Sequence, residues 1–265
     1  MSSIPEPLFL EERRRNILEL LRQRGRVSVK ALSEQLHVSA VTIRQDLRAL
    51  EREGLLERTY GGAVQRTSPP VSELAFDLRR ERSPAEKIAI GQAAAALVQD
   101  GYSVALDAST TAYAITPYLK RFYGLTIVTN SLIIAQQFLA APRTRVILPG
   151  GRLRRDSISI VGNPSSLPHI NLNLGFFSAS GLSLATGATD INPDEVEMKR
   201  ALIARCVLPV IVVDSSKWGQ IAPYTYLPGH ELKHVITTTE APPGHVSALR
   251  QTGIRVDLAP VERET

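Results

Sequence analysis

Cysteine is almost absent from this 265-residue chain, with Cys206 the only one. A single thiol can neither close an internal disulfide nor supply a multi-cysteine metal site. A zinc finger is therefore excluded, and a reducing, cytosolic compartment is expected. Aromatic residues are sparse, at 5%. No window approaches the ~18 consecutive apolar residues of a membrane span, and Met1 to Leu10 lack the basic and apolar regions of a secretory signal. The expectation is a protein neither secreted nor membrane-spanning, with no membrane partner. Internal repeats and low-complexity tracts are also missing.

What is present is an ordinary globular composition, with 43% hydrophobic and 22% charged residues. The length and the mass of 29.0 kDa suit one medium domain plus a small one. Lys and Arg number 31 against 26 Asp and Glu, a net charge of +5 and a pI near 9.5. Such a balance permits a nucleic-acid partner without requiring one. Position is more telling. Residues 1–66 carry +3 of the +5, and 11 of their 12 basic residues are arginines, suited to forked contacts with phosphates and base edges. Composition then shifts at Thr67-Ser68-Pro69-Pro70, which continues neither helix nor strand. The expected organisation is a DNA-binding domain over 1–66, a linker over 67–83 and a second domain over 84–265.

Within the first domain, Ile17, Leu18 and Leu21 share one helical face over 12–23, and Ser28 opens a second helix with Val29, Leu32 and Leu36. Ser39 is placed to cap a third helix whose stripe is Ile43, Leu47 and Leu50, ending near Glu53-Gly54. Its opposite side carries Val41, Gln45, Arg48 and Arg52, with Arg44 on the flank and Thr42 near the start. Leu55 to Val64 reads as two short strands around a turn, a wing containing Tyr60. A basic face on the helix after a short turn is the chemistry of a helix-turn-helix that reads the major groove of double-stranded DNA. Asp46, beside the stripe, suits an internal ion pair, and His37 a turn residue.

From Ala85 onward helices alternate with short apolar strands, the pattern of an α/β fold with a parallel sheet. Ser83 with Pro84 is a helix start signal, and helices are expected over 85–99, 110–120, 132–139 and 194–206. Strands are expected over 103–106, 125–129, 145–148, 175–179, 208–213 and 234–238. Polar residues cluster at the strand ends: Asp107, Ser109, Thr110 and Thr111; Asn130; Gly151 and Arg152; Asp190; Asp214 and Lys217. In a parallel sheet these ends share one edge. Arg152, Lys199 and Lys217 would neutralise a phosphate, and Asp107, Asp190 and Asp214 would accept bonds from sugar hydroxyls. No cofactor or metal is expected, because Trp218 and the histidines His169, His230, His234 and His245 stand in no metal-ligand spacing.

Several runs resemble the DeoR family of bacterial transcription regulators: Arg14 to Leu21, Val27 to Ser33, Val38 to Leu47, Gly54-Leu55-Leu56 and Tyr60 to Ala63. The likeness continues through Asp107 to Thr111, Thr129-Asn130-Ser131, Gly150-Gly151, Glu197 to Arg200 and Asp214 to Lys217, and covers about 8–239. Ser109 stands where relatives have glycine, and Phe176 to Ser180 lacks an aspartate that many relatives have. The resemblance implies a winged helix-turn-helix followed by a Rossmann-like effector domain similar in fold to sugar-phosphate isomerases. It also implies a repressor whose effector is a phosphorylated sugar or related metabolite. Useful affinity from so small a reader requires a homo-oligomer, a dimer or tetramer. The competing reading is a sugar-phosphate isomerase-like enzyme with an accessory DNA-binding domain. Against it, no acid appears between Ser180 and Asp190 to act as a base. The acids Asp194, Glu195 and Glu197 are explained by a helix start, and Cys206 by a core position.

Overall fold

The computed structural model describes residues 10–52, 55–64 and 76–262. The chain divides into two compact units, residues 1–75 and 76–265. The expected linker run 67–70 and the helix end at Glu53-Gly54 lie outside the described residues.

The first unit holds α1 (Leu10–Arg24), β1 (Arg26–Ser28), α2 (Val29–Gln35), α3 (Ala40–Arg52), β2 (Glu57–Thr59) and β3 (Gly62–Val64). Its core holds Ile17, Leu21, Val29, Leu32, Leu36, Ile43, Leu47 and Leu50 as expected, joined by Leu56 and Ala63, while Leu18, expected on the same face, is only partly buried against it. Ser28 accepts a bond from the Ala31 N–H at 3.1 Å and so caps α2. The wing is three-stranded, because β1 pairs with β3 across from β2. At Gly62 a Cβ would stand 1.9 Å from the Val27 carbonyl oxygen, so only glycine allows the wing to close on β1. Asp46 is 2% exposed and accepts bonds from Arg13 at 2.6 Å and Arg14 at 3.2 Å, tying α3 to α1.

The second unit is built on a seven-stranded parallel sheet. Its strands are β4 (Ser103–Leu106), β5 (Thr126–Thr129), β6 (Arg145–Ile147), β9 (Leu172–Phe177), β12 (Cys206–Val212), β14 (His234–Thr238) and β15 (Arg255–Ala259), in the order β15-β14-β12-β9-β4-β5-β6. Alternate residues serve opposite faces. Val104, Leu106, Val210 and Val212 join the core under α5 (Pro84–Ala95) and α6 (Thr110–Leu119). Ala105, Ile211 and Val213 join the core that includes α8 (Pro193–Ile203) and α9 (Pro243–Gln251). The winding runs outward from β4 through β6 in one direction and from β9 through β15 in the other, so the topology reverses between β4 and β9. Ligand sites of open parallel sheets sit at such a reversal, beyond the carboxyl ends of the strands.

Several pieces escaped the pattern of the sequence. Two three-residue strands, β7 (Arg152–Arg154) and β8 (Ser159–Val161), make a hairpin after β6, with the short helix α7 (Leu132–Gln136) beside it. The strands β10 (Gly181–Ser183), β11 (Gly187–Asp190) and β13 (Tyr224–Leu227) form a separate antiparallel sheet. Asp190 therefore ends an antiparallel strand, not a parallel one as its position suggested. Helix α4 (Phe76–Arg80) occupies part of the segment read as linker, and its Phe76 is only 2% exposed in the second unit. Ser83 does precede α5, but in the left-handed region at φ 46° and without a side-chain cap, so Pro84 alone carries that start.

Candidate functional site

The outward side of α3 bears the side chains expected there. Val41 is 61% exposed, and Arg44, Gln45 and Arg48 are exposed beside it, while Ile43, Leu47 and Leu50 opposite are at most 1% exposed. The side chain of Arg52 lies outside the described residues. Ser39 accepts a bond from the Thr42 N–H at 3.1 Å, and the two hydroxyls meet at 2.8 Å, which caps the helix. His37, at φ 53°, turns the chain between α2 and α3. Tyr60 stands fully exposed at the tip of the wing.

At the reversal between β4 and β9 the two strand ends are joined by one carboxylate. Asp107, wholly buried, accepts bonds from the N–H groups of Ser178 at 2.8 Å and Ser109 at 3.1 Å. Lys199 reaches it from α8 at 3.1 Å, bonds Asp190 at 2.6 Å and the Ser178 carbonyl at 2.5 Å, and lies over the Tyr226 ring. Burial lowers the proton affinity of Lys199, but Asp190 and Asp107 outweigh it and hold the ammonium above its ordinary range. Burial likewise raises Asp190, and the charge and hydrogen bond of Lys199 outweigh that, leaving its carboxyl below the usual value. Three residues read as separate ligand contacts are thus one buried triad. Lys199 is not a free cation for phosphate: it is buried and already compensated by the carboxylates of Asp107 and Asp190.

Ser109 caps α6 by accepting from the Ala112 N–H at 3.0 Å, at φ −93°, so the loop does not need the glycine of relatives. Thr110 and Thr111, 6% and 3% exposed, follow in the first turn of α6, and Thr111 meets the Ser178 hydroxyl at 3.5 Å. Asn130, beyond β5, bonds Glu195 at 3.0 Å and the Ile160 carbonyl at 3.2 Å. Glu195 also accepts from Ser157 at 3.1 Å and from Ser159, which clamps the β7–β8 hairpin to α8. A helix start alone does not account for this acid, since its carboxylate is buried in a network. Gly151 and Arg152 are not brought in: both are exposed, and Arg152 pairs with Asp194 at 2.6 Å on the outer side. Arg154, 14% exposed, faces Glu195 and Asp156 instead.

On the remaining side, Asp214 beyond β12 is 4% exposed and accepts from the Ser216 N–H at 3.0 Å. Lys217 follows in a short 3-10 turn, and among the described residues its ammonium has no hydrogen-bond or ion-pair partner. Sequence reasoning missed Glu86 and Lys87 of α5, both buried. Glu86 accepts from the Ser215 N–H at 2.8 Å, the Ser215 hydroxyl at 2.9 Å and Thr238 at 2.6 Å. The available signal was that these are the only charges in a helix apolar nearly all round, a pattern that places them inside. Cys206 bonds the Leu202 carbonyl at 3.2 Å, and burial pushes its thiol up to about 12, which keeps it from acting as a nucleophile. His234 is 2% exposed and pairs with Asp257 at 2.8 Å across β14 and β15. Among the described residues no group of His, Cys, Asp and Glu has the arrangement to hold a metal ion, and no helix is long and apolar enough to cross a membrane.

A winged helix-turn-helix joined to a Rossmann-like domain with polar groups gathered at its reversal point defines a ligand-responsive DNA-binding regulator. Comparisons with known proteins agree. Residues 13–68 match the DeoR-like helix-turn-helix domain, and residues 82–239 match the DeoR C-terminal sensor domain. The chain is 34% identical to the transcriptional regulator GolR of Listeria innocua, over 95% of this chain and 100% of that protein. It is 32% identical to a putative aga operon transcriptional repressor of Escherichia coli O157:H7, over 93% of each. It is 33% identical to the glycerol-3-phosphate regulon repressor of Escherichia coli K12, over 80% of this chain and 84% of that one. Among solved structures, a ribose 5-phosphate isomerase from Methanocaldococcus jannaschii is 14% identical with a TM-score of 0.38, covering 50% of this chain and 53% of that one. The chain belongs to the DeoR family of transcription regulators. Its named relatives are regulators and repressors of transcription, not enzymes.

Proposed function

We propose that this protein is a cytoplasmic repressor that holds a repeated operator as a dimer or tetramer and releases it when a phosphorylated sugar binds the second domain. The division of labour follows the chain, with 1–66 reading DNA and 84–265 sensing the metabolite. On α3, Thr42, Arg44 and Gln45 meet base edges, Val41 offers an apolar contact of the kind made to a thymine methyl, and Arg48 meets phosphate. Backbone groups near Ser39 and the Tyr60 wing contact the DNA backbone. In the sensor, Asp190 and Asp214 accept from ligand hydroxyls, Asp107 supports them from within by holding Lys199 and the two strand ends, Asn130, Ser109, Thr110 and Thr111 line the site, and Lys217 meets the anionic group. Lys199 holds the carboxylates rather than the phosphate, and Gly151 and Arg152 have no part in it.

The observation that carries the reading is the juxtaposition at the reversal point of a buried charged triad with the hydroxyls of Thr110, Thr111 and Ser178. Those groups suit a ligand rich in hydroxyls. A relative named for the glycerol-3-phosphate regulon supports a small phosphorylated polyol. Mobility-shift titration of DNA upstream of the protein's own gene tests the reader. Arg44→Ala should weaken specific binding by roughly ten- to a hundredfold, the range of one lost base contact, while sugar-phosphate binding persists. Unchanged operator affinity would remove α3 as the reading helix.

A further inference from the structure

A helix that covers a sheet turns apolar residues inward and charged ones outward. The pair α5 and α6, over one face of the seven-stranded sheet, departs from that rule. Between Thr110 and Leu119, α6 has no charged residue, and the two of α5, Glu86 and Lys87, are both buried. Facing out along α5 and its C-cap are Ala85, Ile88, Gln92 and Ala96, at spacings of three and four that place them in one row. Ile88, in that row, is 51% exposed. Beside them α6 shows Pro117, with Ala114 and Tyr118 half-buried. The two helices meet closely, since a Cβ on Gly91 would stand 2.4 Å from the Ala114 carbonyl oxygen. Their outer sides make one uncharged face.

The face is also fixed from within. Glu86 fastens the inner side of α5 to Ser215 and Thr238, and Lys87 fastens it to the Arg79 carbonyl at 2.6 Å. A surface held in place loses little freedom when it is covered. Its chemistry selects the occupant. Nucleic acid or an acidic protein calls for basic residues and a basic protein for acidic ones, and the middle of this face offers neither. A second copy of the chain fits, and the reader already requires one. In a two-fold contact a residue at the axis meets itself, so a charge there would repel its twin, and an uncharged centre removes that cost. Away from the axis, unlike residues meet. Exposed Arg82 precedes α5 and exposed Asp100 follows it, each nine positions from Gly91. The Asp100 carboxylate is held in place by the Tyr123 N–H at 2.8 Å. Antiparallel packing of two α5 helices about Gly91-Gln92 brings Arg82 of each copy to the partner's Asp100.

We propose that two sensor domains pair through the outer faces of α5 and α6, with Ile88 and Gln92 beside the two-fold axis and Arg82 against the partner's Asp100 at the rim. This rests on the reading of a homo-oligomer and adds the surface that makes it. The arrangement has the anatomy of a protein interface, depleted of charge at its centre and polar at its edge. Only one helix separates the pairing face from the loop after β12, because Glu86 on the inner side of α5 holds Ser215 of that loop.

The test is sedimentation velocity of the full-length protein over a range of concentrations, alone and on DNA from upstream of its own gene, with circular dichroism as the check on folding. Ile88→Glu should weaken self-association roughly tenfold or more. Its mass should then fall to half the wild-type value or less where the wild type is just assembled. Arg82→Asp or Asp100→Arg alone sets like charges together and should weaken association about threefold or more, and the two combined should restore it. Both positions are exposed, so this exchange decides the matter even where Ile88→Glu does not fold. Leu139→Glu, at an 84% exposed position outside α5 and α6, should leave association unchanged. Ile88→Glu assembling like the wild type, or a double variant no better than the single ones, overturns the inference while the homo-oligomer reading stands. A wild type that is monomeric at every concentration and on DNA overturns both.

Discussion

Lys199 shows at the scale of one residue what a linear reading loses. Its position on the first helix after Asp190 marked it as part of the site, but a lysine opposite strand-end aspartates looks the same whether it waits for a phosphate or is already paired. Only the sheet order, which sets β4 beside β9, brings Asp107 within 3.1 Å of it. Replacing it by Met would leave two buried carboxylates without their cation. Lys199→Met should therefore lose about 3–5 kcal/mol of stability, measured by denaturant unfolding. The partner acid sets a pH limit. Asp190 has a native carboxyl held below its ordinary 3.8, so the stabilisation it brings is complete above that value and is lost as the pH falls through the lower native one. Melting temperature measured from pH 6 to pH 2 should fall at the acid end, and Asp190→Asn should lack that share of the fall. The ammonium of Lys199, raised in the native state, keeps its contribution below 10.5 and loses it only at strongly alkaline pH.

Among the elements, legibility followed length and periodicity. The stripe Ile43, Leu47 and Leu50 and its outer face on α3 were readable because 13 residues complete more than three helical turns. The three-residue strands β7, β8 and β10 were not, nor were the longer α9 and β15. The buried charges of α5 went unread although they are the only charges in a helix otherwise apolar nearly all round. The β7–β8 hairpin and α4, both unread, are held together by the Phe76 N–H on the Asp156 carbonyl. In the reader, the wing is the element most sensitive to a single atom. Gly62→Ala would drive a Cβ into the Val27 carbonyl, so β3 must part from β1. That variant should lower the melting temperature of the winged domain, by overpacking of about 1–3 kcal/mol, and weaken operator binding with it. Calorimetry of the variant showing wild-type melting would contradict the close approach.

At the scale of the whole molecule, one small reader per chain does not give tight operator binding. Two recognition helices spaced by about 34 Å, or a multiple of it, would do so through a homo-oligomer. Footprinting should then show a repeated half-site with centres one or more helical turns apart, and a lone unrepeated half-site would argue against a paired reader. The coupling required of the effector is modest, about 1–3 kcal/mol of difference between the two states. The shift in composition near Thr67 pointed to two domains, and the chain does divide into two units, at 75/76. The most direct test of the central claim is fluorescence anisotropy of the labelled operator, bound by the full-length protein and titrated with a panel of sugar phosphates and their unphosphorylated sugars. Saturable release by at least one phosphorylated sugar, with its unphosphorylated counterpart inactive and no product formed, is the predicted result. Operator binding that no phosphorylated sugar changes, or conversion of a sugar phosphate into product, would contradict it.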